Sequence, residues 1–135
     1  FDEQEVSFVQ RLQSSLFDLG SKLACENELW EKYKLPDIKV ETIEKMEEYI
    51  DIYDSRLEKL KYFVLPGGTT ASAQAHISRT ICRRVERKLI AFSDRDIAPD
   101  HAQAFLNRLS DYLFVLARKC IYDFGGEETK WKARI

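Results

Sequence analysis

Three arginines recur at intervals of four residues, at positions 79, 83 and 87. On an α-helix this spacing places Arg79, Arg83 and Arg87, together with Glu86, within an arc of about a third of a turn. Like charges at this spacing destabilise a helix by ~0.2–0.5 kcal/mol per pair, which an anionic ligand would relieve. The planar guanidinium donates two parallel hydrogen bonds to a phosphate. The stripe therefore indicates either a phosphate site or a basic face that pairs with acids on a neighbouring helix.

The helix that carries these arginines follows a break at residues 65–70, with the sequence Leu-Pro-Gly-Gly-Thr-Thr. Proline fixes its own φ and glycine permits unusual backbone angles, so the preceding element is predicted to end here. Thr69 or Thr70 is predicted to cap the new helix, which fades at residues 93–96. The side opposite the arginines is predicted to face the core, because it carries Ile77, Ile81, Val85 and Phe92.

Two stretches before this break have apolar residues at helical spacing. Residues 3–24 carry a seam that includes Leu12, Leu16 and Leu19, and the connection that follows is expected to be pinned by Trp30 and Tyr33. The second helix is predicted to begin within residues 37–41 and to end at the Pro-Gly-Gly break. Its seam consists of Ile43, Met46, Ile50, Tyr53, Leu57, Leu60 and Val64.

A fourth helix is predicted from Pro99, at its first helical position, to about residue 122. Its core stripe consists of Phe105, Leu106, Leu109, Leu113, Leu116 and Cys120. The opposite arc carries Asn107, Asp111, Phe114 and Arg118. Because asparagine and aspartate are poor helix formers, Asn107 and Asp111 are expected to have partners. Residues 124–126 are predicted to end this helix, and Trp131 to fold back onto the bundle.

Length and pattern together predict one all-α domain over residues 1–135, an up-and-down bundle of four long helices. The net charge of −2 gives no indication of a nucleic-acid or membrane partner, and no apolar run reaches the ~20 residues of a membrane span. The three cysteines, at positions 25, 82 and 120, have neither disulfide nor metal-ligand spacing. A reducing, cytoplasmic location without a structural metal is therefore expected.

Three segments together resemble the PduO-type ATP:cob(I)alamin adenosyltransferases. They are FVLPGG at residues 63–68, HISRTICRRVER at 76–87 and LNRLSDYLF at 106–114. The resemblance extends from residue 8 to about residue 131. It implies transfer of the 5′-deoxyadenosyl group of ATP to cob(I)alamin, with Mg²⁺, in a homotrimer whose active sites lie between subunits. A corrinoid reductase is a further implied partner.

The same resemblance implies roles for individual residues. Arg79 and Arg83 match arginines at the ATP phosphates and are the expected catalytic residues. The other expected nucleotide contacts are Arg84, Glu86, Arg87 and Asn107. Phe63 matches an aromatic residue that packs below the corrin and helps to displace its lower ligand, and Asp111 matches a residue near the cobalamin.

Several alternatives remain open at this stage. Phe63 lies just off the seam of the second helix, so the periodicity favours core packing whereas the resemblance favours a pocket. Family members also have a glycine-rich ATP segment and a first helix with a D-E-L-N motif, and this sequence contains neither, so four of five expected helices are matched. The chain could instead be a non-catalytic cobalamin- or nucleotide-binding bundle, or a structural bundle whose stripes form oligomer salt bridges.

Overall fold

The computed structural model describes residues 2–60, 62–123, 127–129 and 131–132. Within these ranges four long helices follow one another: α1 (Glu3–Leu23), α2 (Val40–Arg56), α3 (Thr70–Ser93) and α4 (Ala102–Asp123). A 3₁₀ turn, Asn27–Leu29, lies between α1 and α2, and no strand occurs in the described ranges. The prediction of an all-α bundle of four long helices is confirmed.

The fourth helix is the centre of the bundle, because both α3 and α2 pack against it. Phe105, Leu106 and Leu109 are almost fully buried, as is Cys120, and Leu113 is partly buried. Tyr112 of α4 closes an aromatic cluster with Phe8 of α1 and with Tyr49 and Tyr53 of α2. The predicted core stripe of α4 is therefore confirmed.

Two helices begin with side-chain caps that the sequence supplies. Asp2 and Glu5 form a reciprocal capping box at the start of α1, with both hydrogen bonds at 2.8 Å. At the start of α3, the backbone N–H of Ser72 donates to Oγ1 of Thr69 at 3.1 Å. Thr69 is thus the cap of the arginine helix, which ends at Ser93 as predicted.

The predicted end of the second helix is wrong. The helix ends at Arg56, and Leu57 already has extended backbone angles. Leu60, which the periodicity places in the core, is exposed. The segment after α2, here termed the aromatic loop (residues 57–60 and 62–69), instead pairs its backbone with the C-terminal tail (residues 127–129 and 131–132). Aromatic and β-branched residues at 62–64 suit this extended pairing better than a helix.

The predicted core face of α3 is also wrong. Ile77, Ile81 and Val85 are exposed, at 59, 45 and 36% of their surface, and only Phe92 is partly buried. The face that meets α4 carries Ser72, Ala75, His76, Cys82, Glu86 and Leu89. This face combines small and apolar residues with Glu86 and Cys82, which form hydrogen bonds with Asn107 and the Leu106 carbonyl of α4. The periodicity of large apolar residues does not register such a face.

Smaller differences concern the other boundaries. Pro99 lies before α4 rather than within it, and His101, in the turn just before the helix begins, has a φ of 65°. In α1 the buried seam includes Phe8, whereas Leu16 is exposed. Trp30 pins the connection after α1 by donating from Nε1 to the Lys22 carbonyl at 2.9 Å, but Tyr33 is exposed. The predicted stop at residues 124–126 lies outside the described residues.

Candidate functional site

A polar network joins α3 to α4 at the centre of their contact. Glu86 is buried, and its Oε2 accepts a hydrogen bond from Nδ2 of Asn107 at 3.0 Å. Its other oxygen, Oε1, lies 3.5 Å from Nη1 of Arg83, whose side chain is half exposed. A buried carboxylate is costly unless it is paired and hydrogen-bonded, so these two contacts explain why Glu86 is tolerated here.

Arg108 extends this network along α4. Its Nη2 donates to Oδ1 of Asn107 at 2.9 Å and to Oδ2 of Asp111 at 2.5 Å. Both polar groups of the Asn107 amide are therefore engaged, and the partners expected for Asn107 and Asp111 are found. We term Arg83, Glu86, Asn107, Arg108 and Asp111 the interhelix network. Arg108 was missed by the sequence analysis, although its spacing of three residues from Asp111 was a usable signal.

The arginine stripe is not uniform. Arg79 is half-buried, and its guanidinium carbon lies 5.8 Å from the centre of the Phe114 ring. Arg83, Arg84 and Arg87 are exposed, and in the described part of the chain neither Arg84 nor Arg87 has an ion pair. Arg79 is thus held against α4, Arg83 is partly engaged by Glu86, and Arg84 and Arg87 are available to an anion from outside.

His76 orients the buried end of the stripe. Its Nδ1 accepts a hydrogen bond from Nε of Arg79 at 3.3 Å, and the histidine is 2% exposed. Burial, assisted by the positive charge of Arg79, lowers the pKa of His76 below its usual value of 6.5. Histidine is therefore neutral near pH 7 and can act as an acceptor for Arg79. Sequence analysis assigned no role to this residue, although its spacing of three residues from Arg79 was a usable signal.

The loop before α3 depends on its glycines. Gly67 and Gly68 have φ values of 128° and 100°, which residues with a side chain rarely adopt. A Cβ at Gly68 would also lie only 2.7 Å from Cδ1 of Ile121 on α4. The Pro-Gly-Gly sequence thus brings the loop into close contact with the C-terminal part of α4.

Phe63 lies on this loop and points outward. It is 77% exposed, and its ring meets that of Trp131 edge-on with 5.9 Å between the centroids. The core interpretation of Phe63 is wrong. Trp131, which was predicted to fold back onto the bundle, contacts this loop instead. Phe63 lies on the loop that precedes the first residue of α3. Glu86 and Asn107 lie towards the opposite end of the α3–α4 pair.

The described cysteines and acids show no further reactive centre. Cys25, Cys82 and Cys120 are free thiols. Burial raises the pKa of Cys82 to about 11, and its thiol donates to the Leu106 carbonyl at 3.2 Å, so it is a poor nucleophile. The described residues contain no group of three His, Cys, Asp or Glu suited to a metal ion.

Among the helices that the structure describes, none has the length and apolar character needed to cross a membrane.

Comparisons with known proteins converge on one family. A family model described as cobalamin adenosyltransferase matches residues 2–120. A cobalamin adenosyltransferase from Cupriavidus metallidurans is 38% identical over 121 residues, which cover 90% of this chain and 62% of the relative. Human corrinoid adenosyltransferase MMAB is 38% identical over 122 residues, which cover 89% of this chain and 49% of that protein. The chain thus spans about half to three fifths of these relatives.

A solved structure agrees with this result. A variant PduO-type ATP:corrinoid adenosyltransferase from Lactobacillus reuteri, solved in complex with cobalamin and ATP, superposes with a TM-score of 0.83 at 31% identity. The superposition covers 96% of this chain and 67% of that chain. Sequence and fold therefore indicate the same relatives.

Proposed function

The chain belongs to the cobalamin adenosyltransferase family, and we propose that it transfers the 5′-deoxyadenosyl group of ATP to cob(I)alamin. The observation that carries this proposal is the interhelix network. Buried Glu86 joins the arginine helix to Asn107 of α4, so that two of the three motifs named above form one polar surface. The relatives that match the chain are named for the same activity.

The proposed reaction places most of the chemical demand on positioning and charge. Cobalt(I) donates an electron pair to C5′ of ATP, the Co–C5′ bond forms, and the C5′–O bond to triphosphate breaks. Cobalt is thereby oxidised by two electrons, and no protein base is required. The protein must hold C5′ in line with cobalt and stabilise the negative charge that develops on triphosphate.

Arginines of α3 are the proposed contacts of the triphosphate. Arg83 is half exposed and is oriented by Glu86, so its remaining N–H groups can bind phosphate oxygens. Arg79 is held by His76 and Phe114, which limits its freedom and favours one bound geometry. The exposed Arg84 and Arg87 add positive charge beside this site.

The corrin is proposed to lie at the aromatic loop. An exposed aromatic ring such as Phe63 can cover the lower face of the corrin and exclude the lower cobalt ligand. A four-coordinate cobalt is easier to reduce to cobalt(I), which is the nucleophile. Asp111 lies one helical turn closer than Asn107 to the loop end of α4, and it is proposed to lie near the cobalamin, where the Arg108 contact fixes its carboxylate.

The proposed Mg²⁺ has no evident protein cage. The described residues offer no cluster of three acidic, histidine or cysteine ligands, and Glu86 already pairs with Arg83 and Asn107. In the described part of the chain the side chains therefore do not form a metal site of their own. Any Mg²⁺ would be carried by the ATP phosphates and water, and no step is assigned to it.

A homotrimer with active sites between subunits is proposed as the assembly. The exposed Ile77, Ile81 and Val85 form an apolar stripe on α3, which favours a partner surface over water. Light scattering should then give three times the 15.8 kDa of one chain. A monomer at all micromolar concentrations would contradict this assembly.

The free thiols support a cytoplasmic location, where a corrinoid reductase would supply the reduced substrate.

A non-catalytic cobalamin- or nucleotide-binding bundle is the second candidate. The observation in its favour is that both polar groups of Asn107 are already engaged within the protein. The two candidates differ in product, because a binder retains ATP intact.

The test is adenosylcobalamin formation by the 135-residue chain with ATP and chemically reduced cobalamin under anaerobic conditions. The proposal predicts adenosylcobalamin and triphosphate in equal amounts. Binding of both substrates without either product would favour the non-catalytic bundle, and binding of neither would reject both candidates.

A further inference from the structure

Arg118 is a buried cation that contacts two distant parts of the chain. It lies on α4 and is 3% exposed, although its position on the helix predicted a polar, outward arc. Its Nε donates to both carboxylate oxygens of Glu128, at 3.0 and 3.1 Å. Its Nη2 donates to the backbone carbonyl of Glu58 at 2.8 Å. One side chain therefore binds the C-terminal tail and the beginning of the aromatic loop at once.

Next to these contacts, the tail and the loop pair with each other. The N–H of Leu65 donates to the carbonyl of Thr129 at 2.8 Å, and the N–H of Trp131 donates to the carbonyl of Phe63 at 2.7 Å. The same pairing brings the rings of Phe63 and Trp131 into contact. Two backbone bonds on an exposed surface are weak by themselves, since water competes for the same groups.

A buried guanidinium makes this pairing more persistent. Removing a charge from water is costly, and the cost is offset here only when Glu128 and the Glu58 carbonyl are both in place. Lysine cannot reproduce the arrangement, because its compact ammonium lacks the planar fork that reaches two partners. Arg118 thus favours the conformation in which tail and loop lie together.

We propose that Arg118 is a positioning residue that holds the C-terminal tail against the aromatic loop and thereby fixes Phe63. This inference rests on the proposed role of Phe63 at the corrin. Arg118 touches neither reactant in this arrangement. It acts through Glu128, Thr129 and the backbone of Phe63.

Amide hydrogen exchange measured by NMR tests the contact directly. In the unsubstituted chain, the amides of Leu65 and Trp131 should exchange more slowly than amides without a partner. In Arg118→Lys, their exchange should accelerate by at least about tenfold, since a charge-assisted contact is lost. The amide of Met46, in the core of α2, should change much less. Glu128→Gln, which alters a half-buried tail residue, should affect the same two amides in the same direction.

A matched control is Lys22→Met, which removes the other buried basic side chain with an acidic partner in the described residues. Lys22 lies near Phe92 and Asp96, at the opposite end of α3. This variant should leave the exchange of Leu65 and Trp131 unchanged relative to Met46. Equal acceleration of all three amides in Arg118→Lys, or no protection of Leu65 and Trp131 in the unsubstituted chain, would overturn the proposal.

Steady-state kinetics provide a second test of the role of Arg118. Arg118→Lys should lower kcat for adenosylcobalamin formation by ~10-fold while the KM for ATP stays within about twofold, because only the corrin side is disturbed. Selective loss of amide protection with unchanged kcat would overturn the positioning role. If the unsubstituted chain forms no product, the proposed function fails, and the exchange experiment still decides whether Arg118 holds the tail.

Discussion

The two ends of the α3–α4 pair are built in different ways. At one end the polar groups belong to the helices themselves: Glu86 of α3 binds Asn107 of α4, and Arg108 supports Asn107 from within α4. At the other end Phe63 is carried by a loop whose shape depends on Gly68 and on the C-terminal tail. The first end presents a rigid, charged surface suited to a phosphate chain. The second presents an adjustable aromatic surface suited to a large flat ring.

This difference predicts that substitutions at the two ends fail in different ways. We term the end that carries Arg83, Glu86 and Asn107 the helix-borne end, and the end that carries Phe63 and Gly68 the loop-borne end. Substitutions of the outward arginines at the helix-borne end should impair the reaction with little effect on the fold, because these side chains are half exposed or exposed. Changes in the loop-borne end should first alter the local conformation. The following experiments test this contrast, from the largest expected effect to the smallest.

Arg83→Ala should lower the turnover by ~10²–10³-fold, the scale found when one preorganised charge-stabilising donor is removed. Stability should fall by only about 1 kcal/mol, because buried Glu86 loses its ion pair but keeps its hydrogen bond to Asn107, and the half-exposed Arg83 no longer repels Arg79 and Arg87. Anaerobic product assays and thermal melting check both statements. Lys88→Ala, an exposed basic residue on the same helix, is the control and should retain activity. Near-normal turnover in Arg83→Ala would show that the arginine stripe is a basic surface without a role in the reaction.

Gly68→Ala should destabilise the protein by ~1–3 kcal/mol, because alanine disfavours the positive φ of this position and its Cβ would lie 2.7 Å from Cδ1 of Ile121. Urea unfolding measures the change. Gly20→Ala is the matched control: nothing lies within 4 Å of its Cβ position in α1, so it should stabilise by ~0.4–1 kcal/mol. Equal effects of the two substitutions would show that the loop conformation does not depend on Gly68.

Phe63→Ala should cost less than about 1 kcal/mol of stability, because the ring is largely exposed. Phe105→Ala provides the contrast, with an expected cost of ~3–5 kcal/mol for a fully buried phenylalanine. Chemical unfolding of the two variants under one set of conditions checks the difference. A loss in Phe63→Ala as large as that in Phe105→Ala would mean that the loop is part of the core.

The pH dependence of stability should show a small contribution from His76. Its pKa is lowered in the folded state by burial and by Arg79, while Glu128 acts in the opposite direction. The unfolded chain therefore binds the proton first, and stability should fall as the pH drops below 6.5 towards the folded pKa. Melting temperatures between pH 7.5 and 5.5 should decline less in His76→Gln. Parallel profiles for both proteins would rule out this contribution.

The sequence predicted the helix-borne end better than the loop-borne end for a physical reason. Spacing along a helix showed that Asn107 and Asp111 share one face, and their poor helix propensity indicated that they need partners. The end of α2 was not, because Arg118, Glu128 and the tail lie far from Glu58 in sequence and override its helical pattern. The core face of α3 was missed because it carries small residues and a buried Glu86 paired with Asn107, whereas the large apolar residues Ile77, Ile81 and Val85 lie on the exposed side.

The most direct test of this division between the two ends is the visible spectrum of cob(II)alamin bound to the protein with saturating ATP. In the unsubstituted chain a four-coordinate signal is expected. Phe63→Ala should lose this signal and keep near-normal ATP affinity, whereas Arg83→Ala should retain the signal and lose turnover. An unchanged four-coordinate signal in Phe63→Ala, or its equal loss in both variants, would contradict the assignment of the two ends to the two reactants.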